Sequence, residues 1–186
     1  MLKQQGFSLF EMLLVLALSS ILILTIIQFF PIFQRQWLSL YQKQYIMHIV
    51  NNTLLPFYKD IKRAGFMAKI NSQPIVAALQ VNPKGDCIII HYDLNRKGIW
   101  VIDEKDPSKV NTFVYRYAKN NVEYRSGVPN CGGIGWEKLF DNKEINIIQF
   151  QLFDHQLYLE IKIMGTLVTA PNISYSLSRM IRYENR

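Results

Sequence analysis

At 186 residues the chain has room for one modest folded domain beside a membrane segment, and an apolar share of 49% is enough for a core. The net charge of +7 permits contact with DNA, anionic lipid or acidic partners, yet no Lys/Arg cluster concentrates it, as expected of a solvated basic surface. An enzyme or a metal protein is not expected: His48, His91 and His155 are dispersed, none stands at metal-site spacing from a cysteine, no nucleophile motif occurs, and no cofactor is implied.

The N-terminus is the most informative segment. Met1 to Gly6 carries one Lys, and from Phe7 to Gln34 the only charge is Glu11. A run of about 20 apolar residues spans a bilayer core as a helix. A carboxylate inside such a run is expensive, so by default it has a function and a partner. A secretory signal places its cleavage site behind the apolar run. Here the small residue, Gly6, stands in front of it. A cut between Gly6 and Phe7 leaves the helix on the mature chain and creates an amine at Phe7, four residues before Glu11, which places the two charges on one helical face. An uncleaved signal anchor with Glu11 snorkelled to the headgroups explains Glu11 alone, but not the Gly6-Phe7 pair beside it.

Gly6-Phe7-Ser8-Leu9-Phe10-Glu11 and the apolar run after it resemble the N-terminus of type IV pilins and type II secretion pseudopilins. The resemblance implies that prepilin peptidase cuts after Gly6 and N-methylates Phe7, and that Glu11 guides subunit docking. It further implies an inner-membrane protein with a single span and its C-terminal head in the periplasm, passing from there into a pilus or pseudopilus. The partners implied are prepilin peptidase, other minor pilins and the major pilin.

Ala17, Ser19 and Ser20 are small enough to allow close helix approach, and Pro31 is expected to bend the helix. From Gln34 to Arg63 polar residues return, with Ile46, Ile49, Val50, Leu54, Phe57, Tyr58 and Ile61 at helical intervals. That stripe predicts one face buried against a sheet. Pro56 is expected to break or kink the helix at Leu55, and Gly65 to stop it behind Lys62 and Arg63. Asp60-Ile61-Lys62-Arg63-Ala64-Gly65-Phe66 resembles the helix end of PilW-like minor pilins and J-type pseudopilins, which favours a minor component over the major filament subunit.

Beyond Pro74 the pattern is strand-like, with candidates at 75–81, 87–92, 99–102, 112–118, 122–125, 145–153, 157–164 and 174–183. Asn120-Asn121 reads as a tight hairpin turn and Asp154-His155 as a second. The fold class expected is α+β and pilin-like: one long helix, half transmembrane and half amphipathic, packed on an antiparallel sheet. The divisions expected are a leader over 1–6, a transmembrane and assembly helix over 7–33, an amphipathic helix over 34–66 and a sheet head over 67–186.

Cys87 and Cys131 are an even pair in a chain that the resemblance sends to an oxidising compartment. A disulfide between them is expected, with two free core thiols as the alternative. Gly132-Gly133-Ile134-Gly135 lacks nucleotide-loop spacing and reads as a flexible or disulfide-anchored loop. Tyr115, Tyr117 and Tyr124 with Arg116 and Arg125 are candidates for contact with single-stranded DNA, although aromatics at strand spacing are more often cross-strand pairs.

Overall fold

The computed structural model describes residues 8–69, 77–96, 98 and 111–182. Two helices lead: α1 (Leu9–Thr53) and α2 (Leu55–Arg63). Eight strands follow: β1 (Leu79–Val81), β2 (Cys87–His91), β3 (Thr112–Ala118), β4 (Asn121–Ser126), β5 (Glu137–Lys138), β6 (Ile145–Asp154), β7 (Tyr158–Leu167) and β8 (Ser174–Arg182). The chain divides into two compact units, residues 1–42 and 43–186. The leader residues, Gly6 and Phe7 among them, and the strand expected over 99–102 lie outside the described residues.

In the first unit α1 is long and apolar enough to cross a membrane. Its leucines, isoleucines and phenylalanines are exposed all round, as suits a helix whose solvent is hydrocarbon or other helices. Its hydroxyls need no outside partner. Ser19 Oγ donates to the Val15 carbonyl at 2.6 Å, Ser20 Oγ to Ala17 at 2.7 Å and Thr25 Oγ1 to Leu22 at 2.7 Å. Backbone satisfaction of this kind makes a hydroxyl tolerable in lipid. The helix continues through Pro31.

The second unit is the head. Pro56 removes the backbone donor that would continue the first helix, and the ladder breaks one residue earlier than expected, at Leu54. Proline is harmless in the first turn of the new helix, so α2 starts at once. It ends at Arg63, and Gly65 turns the chain away with φ +81, a conformation that a side chain disfavours. The predicted stripe faces inward: Ile46, Val50, Leu54, Phe57, Tyr58 and Ile61 are all buried, and Ile49 is half-buried.

Two antiparallel sheets meet that stripe where one was expected. The first is a meander in the order β1-β2-β3-β4-β5; the second is β6-β7-β8. They are stitched together by backbone bonds from Ile147 N to the Asn120 carbonyl (2.9 Å) and from Leu152 N to the Gly85 carbonyl (2.8 Å). Phe57 lies 4.5 Å from the Tyr115 ring of the first sheet and 6.0 Å from Phe150 of the second, so one α2 side chain seals both. On β7, Leu159, Ile161 and Ile163 point into the core while Lys162 is exposed, the alternation the sequence announces.

The β3–β4 hairpin turns at Lys119-Asn120, one residue before the expected Asn120-Asn121. Both turn residues have positive φ, 51° and 56°, as a two-residue hairpin of the primed kind needs. Asn121 is instead a buried strand residue. Its amide donates to the Phe140 carbonyl (2.8 Å) and to Asn142, and accepts from Phe140 N (3.2 Å). The turn expected at Asp154-His155 lies slightly further on: Asp154 ends β6 and the chain turns through His155, Gln156 and Leu157, with Gln156 at φ 68°.

Two predictions follow from this packing. Phe57→Ala opens a cavity between the sheets and lowers stability by about 3–5 kcal/mol, read from urea denaturation of the full chain in detergent. His91 is buried beside Thr112 Oγ1 (3.0 Å), and burial pushes its pKa below the ordinary 6.5. Since burial disfavours the imidazolium in the folded state, the contribution of His91 to stability is lost as pH drops below about 6.5. His91→Gln flattens that acid limb of the denaturation midpoint against pH.

Candidate functional site

Three places carry chemistry. At the start of α1, Ser8 occupies the N-cap position. Its Oγ accepts from Phe10 N at 3.4 Å, and Glu11 reaches back to accept from Ser8 N at 3.1 Å. This is a reciprocal capping box, with the carboxylate set at the positive end of the helix. The Ser-x-x-Glu spacing is visible in the sequence, but reading Glu11 only as a charge in search of an amine passes over it. The cap lies downstream of the Gly6-Phe7 bond, so the backbone groups that form it do not include that bond.

The second place is the end of α2. Asp60 is 9% exposed and accepts two phenolic hydrogen bonds, from Tyr115 Oη at 2.6 Å and Tyr92 Oη at 3.0 Å. Burial pushes its pKa above the ordinary carboxylate range, against the two phenols and nearby Arg63, which pull it down. The two tyrosines move the same way: burial, and then the facing carboxylate, raises both above the ordinary phenol value. Arg63 covers the Tyr92 ring at 5.9 Å. Asp60 therefore ties the helix to β3 and to the residue after β2; the acidic position of the helix-end motif is a structural clamp. Sequence reasoning marks the motif but not the acid's partners, because both tyrosines are distant in the chain.

The third is the loop after β4. Cys87 on β2 and Cys131 form a disulfide across a separation of 44 residues. Arg116 donates to the Cys131 carbonyl (2.9 Å), pairs with Glu123 (2.8 Å) and stacks over the Trp136 ring at 4.0 Å. Trp136 Nε1 donates to the carbonyls of Gly132 (3.2 Å) and Gly133 (3.1 Å), and Arg125 to that of Ile134. The glycine-rich segment is thus anchored by the disulfide and by side chains.

These contacts place the residues singled out for DNA. Tyr115 is a core residue whose hydroxyl is held by Asp60, so it offers no face for base stacking. Tyr117 is half-buried and donates to the Ile147 carbonyl (3.0 Å), Tyr124 packs 5.0 Å from Tyr115, Arg116 divides its donors between the Cys131 carbonyl and Glu123, and Arg125 gives one to the Ile134 carbonyl. The histidines are likewise apart: His48 bonds Asn52, His91 bonds Thr112 and His155 bonds Glu160. Among the described residues no group of His, Cys, Asp or Glu is placed to hold a metal ion.

An apolar N-terminal helix that is capped by Ser8 and Glu11 and leads into an antiparallel, disulfide-bonded head defines a type IV pilin-like subunit. Residues 1–27 match the prokaryotic N-terminal methylation motif. Residues 39–183 match the model of prepilin peptidase-dependent protein B, and the chain belongs to that family. Among its relatives, the prepilin peptidase-dependent protein B of Escherichia coli is 32% identical over 151 residues, covering 81% of this chain and 78% of the relative. A Haemophilus influenzae protein is 28% identical over 182 residues, covering 71% and 76% respectively. No solved structure matches the chain.

Cys131→Ser removes the cross-link and lowers stability by about 3–4 kcal/mol on the chain-entropy model, measured as the shift in urea midpoint against the oxidised parent. Asp60→Ala leaves two buried hydroxyls without their acceptor and costs about 2–4 kcal/mol by the same measurement, while Asp60→Asn, which keeps one acceptor oxygen, costs less.

Proposed function

We propose that the chain is a minor pilin that primes or caps a type IV pilus after prepilin peptidase processing, acting as a structural subunit and not as a catalyst. The observation that supports this most directly is the state of Glu11: the only charge between Phe7 and Gln34, set at the capped start of an exposed apolar helix behind a Gly-Phe bond. Cleavage after Gly6 would bring a methylated, positively charged amine at Phe7 within one turn of that carboxylate. The helix then rests in the inner membrane with the head in the periplasm. When a neighbouring subunit's amine meets Glu11, two charges leave lipid together while apolar helix surfaces pack, so docking and charge neutralisation are coupled. Other minor pilins, the major pilin and prepilin peptidase are the partners of such a subunit; motility or DNA uptake is the cellular output.

The capping box permits a sharp test. Glu11→Gln keeps the cap but removes the charge; Glu11→Ala removes both. If charge pairing drives docking, both variants lose co-isolation with partner pilins from membranes, and the Gln variant gains nothing over Ala. Recovery of wild-type co-isolation by Glu11→Gln would assign Glu11 to helix capping alone. Mass spectrometry of the native product is expected to find N-methylated Phe7 at the terminus, and Gly6→Ala to leave Met1 to Gly6 attached. A deletion strain that loses piliation but keeps protein secretion separates this role from that of a J-type pseudopilin.

A further inference from the structure

The loop after β4 is built in an unusual way. Four consecutive carbonyls, those of Cys131, Gly132, Gly133 and Ile134, each accept a side-chain hydrogen bond, and three residues supply the donors: Arg116, Trp136 and Arg125. Gly133 and Gly135 hold φ of 82° and 84°, and a Cβ at Gly133 would meet Arg125 Nη1 at 3.4 Å. The disulfide fixes the base of the loop to β2. What this apparatus presents is one side chain: Ile134 is 88% exposed, the highest value of any large apolar residue described. From Gly127 to Trp136 there is no charged residue.

A single exposed isoleucine means little by itself. An isoleucine on a loop with four consecutive carbonyls held by side chains is different, because much of the ordering that binding would require is already in place. We infer that the Cys131–Trp136 loop is a docking knob, and that Ile134 inserts into an apolar pocket on the head of a neighbouring pilin subunit. Two arguments select that occupant. Lipid imposes no shape, so a rigid backbone would add nothing there, and the chain already carries an apolar helix for the membrane. Burying one isoleucine is worth about 10- to 150-fold in affinity, too little to hold two free proteins together. It suffices between subunits whose helices already keep them side by side, where the second contact is effectively intramolecular. The inference rests on the minor-pilin reading in that respect. The loop then adds selectivity for one neighbour to an association driven by the helices.

The test uses the full chain in membranes, co-expressed with prepilin peptidase and the pilins of its own assembly. A photoreactive benzoylphenylalanine replaces Ile134 in one variant, Leu16 of the helix in a second and Leu157 of the β6–β7 turn in a third. The expected result is a product from position 134 joining the chain to an apolar residue in the head of one pilin, none from 157, and products from 16 with pilin helices. Ile134→Asp should lower co-isolation of that pilin about tenfold, while Ile134→Val leaves it within about twofold. Products from position 16 with none from 134, products from 134 with lipid only, or wild-type co-isolation of Ile134→Asp overturn the knob and leave the filament reading standing. Absence of products from both 16 and 134 overturns the filament reading and the knob together.

Discussion

Phe57 is the point on which the head depends. It is 0% exposed and lies between Tyr115 of the five-stranded sheet and Phe150 of the three-stranded sheet. One turn further on, Asp60 accepts from Tyr92 and Tyr115, so the same short helix is bound to the first sheet by polar contacts as well as by packing. The two sheets also meet through backbone bonds at the Lys119-Asn120 and Gly85 turns, through Tyr117 Oη on the Ile147 carbonyl, and within one apolar core. Without α2 the five-stranded and the three-stranded sheet would each expose apolar surface to water. The polar clamp costs desolvation, which is why Asp60 titrates above its ordinary range, yet it fixes the rotation of the helix in a way that apolar contact alone would not.

Much of this was legible from residue order. The stripe from Ile46 to Ile61 follows the helical period and is buried almost without exception, because a period fixes a face whatever the partner. Leu159-Glu160-Ile161-Lys162-Ile163 alternates and sits as it must. The helix stop at Gly65 and the break before Pro56 are backbone chemistry, local by nature. What escaped was non-local. A strand pattern does not say which sheet a strand joins, so the separation of β6–β8 from the meander was invisible. The partners of Asp60 come from 32 and 55 residues away. Glu137–Lys138 is too short and too polar to announce a strand. The hairpin turn slipped by a residue because Asn120-Asn121 offers two residues tolerant of positive φ, and the burial of Asn121 against Phe140 decided between them.

The candidate site divides in the same way. The Gly6-Phe7-Glu11 pattern is a linear signal, legible because it lies within a short run of consecutive residues. The capping role of Glu11 is equally local and was present in the Ser8-x-x-Glu11 spacing. The loop after β4 was legible as a glycine-rich loop, flexible or disulfide-anchored, and the disulfide anchors it. Trp136 and the disulfide hold it as well, but the bonds from Arg116 and Arg125 on neighbouring strands leave no mark within the loop's own sequence.

The satisfied hydroxyls of α1 have a consequence for recognition. Ser19, Ser20 and Thr25 return their protons to their own helix, which leaves the bilayer-length surface almost blank in polar terms. Packing between apolar surfaces is non-directional and discriminates poorly among similar greasy cylinders. A helix of this kind will accept many neighbours in the plane of a membrane, so the information that tells one sibling protein from another must be written in the folded domain.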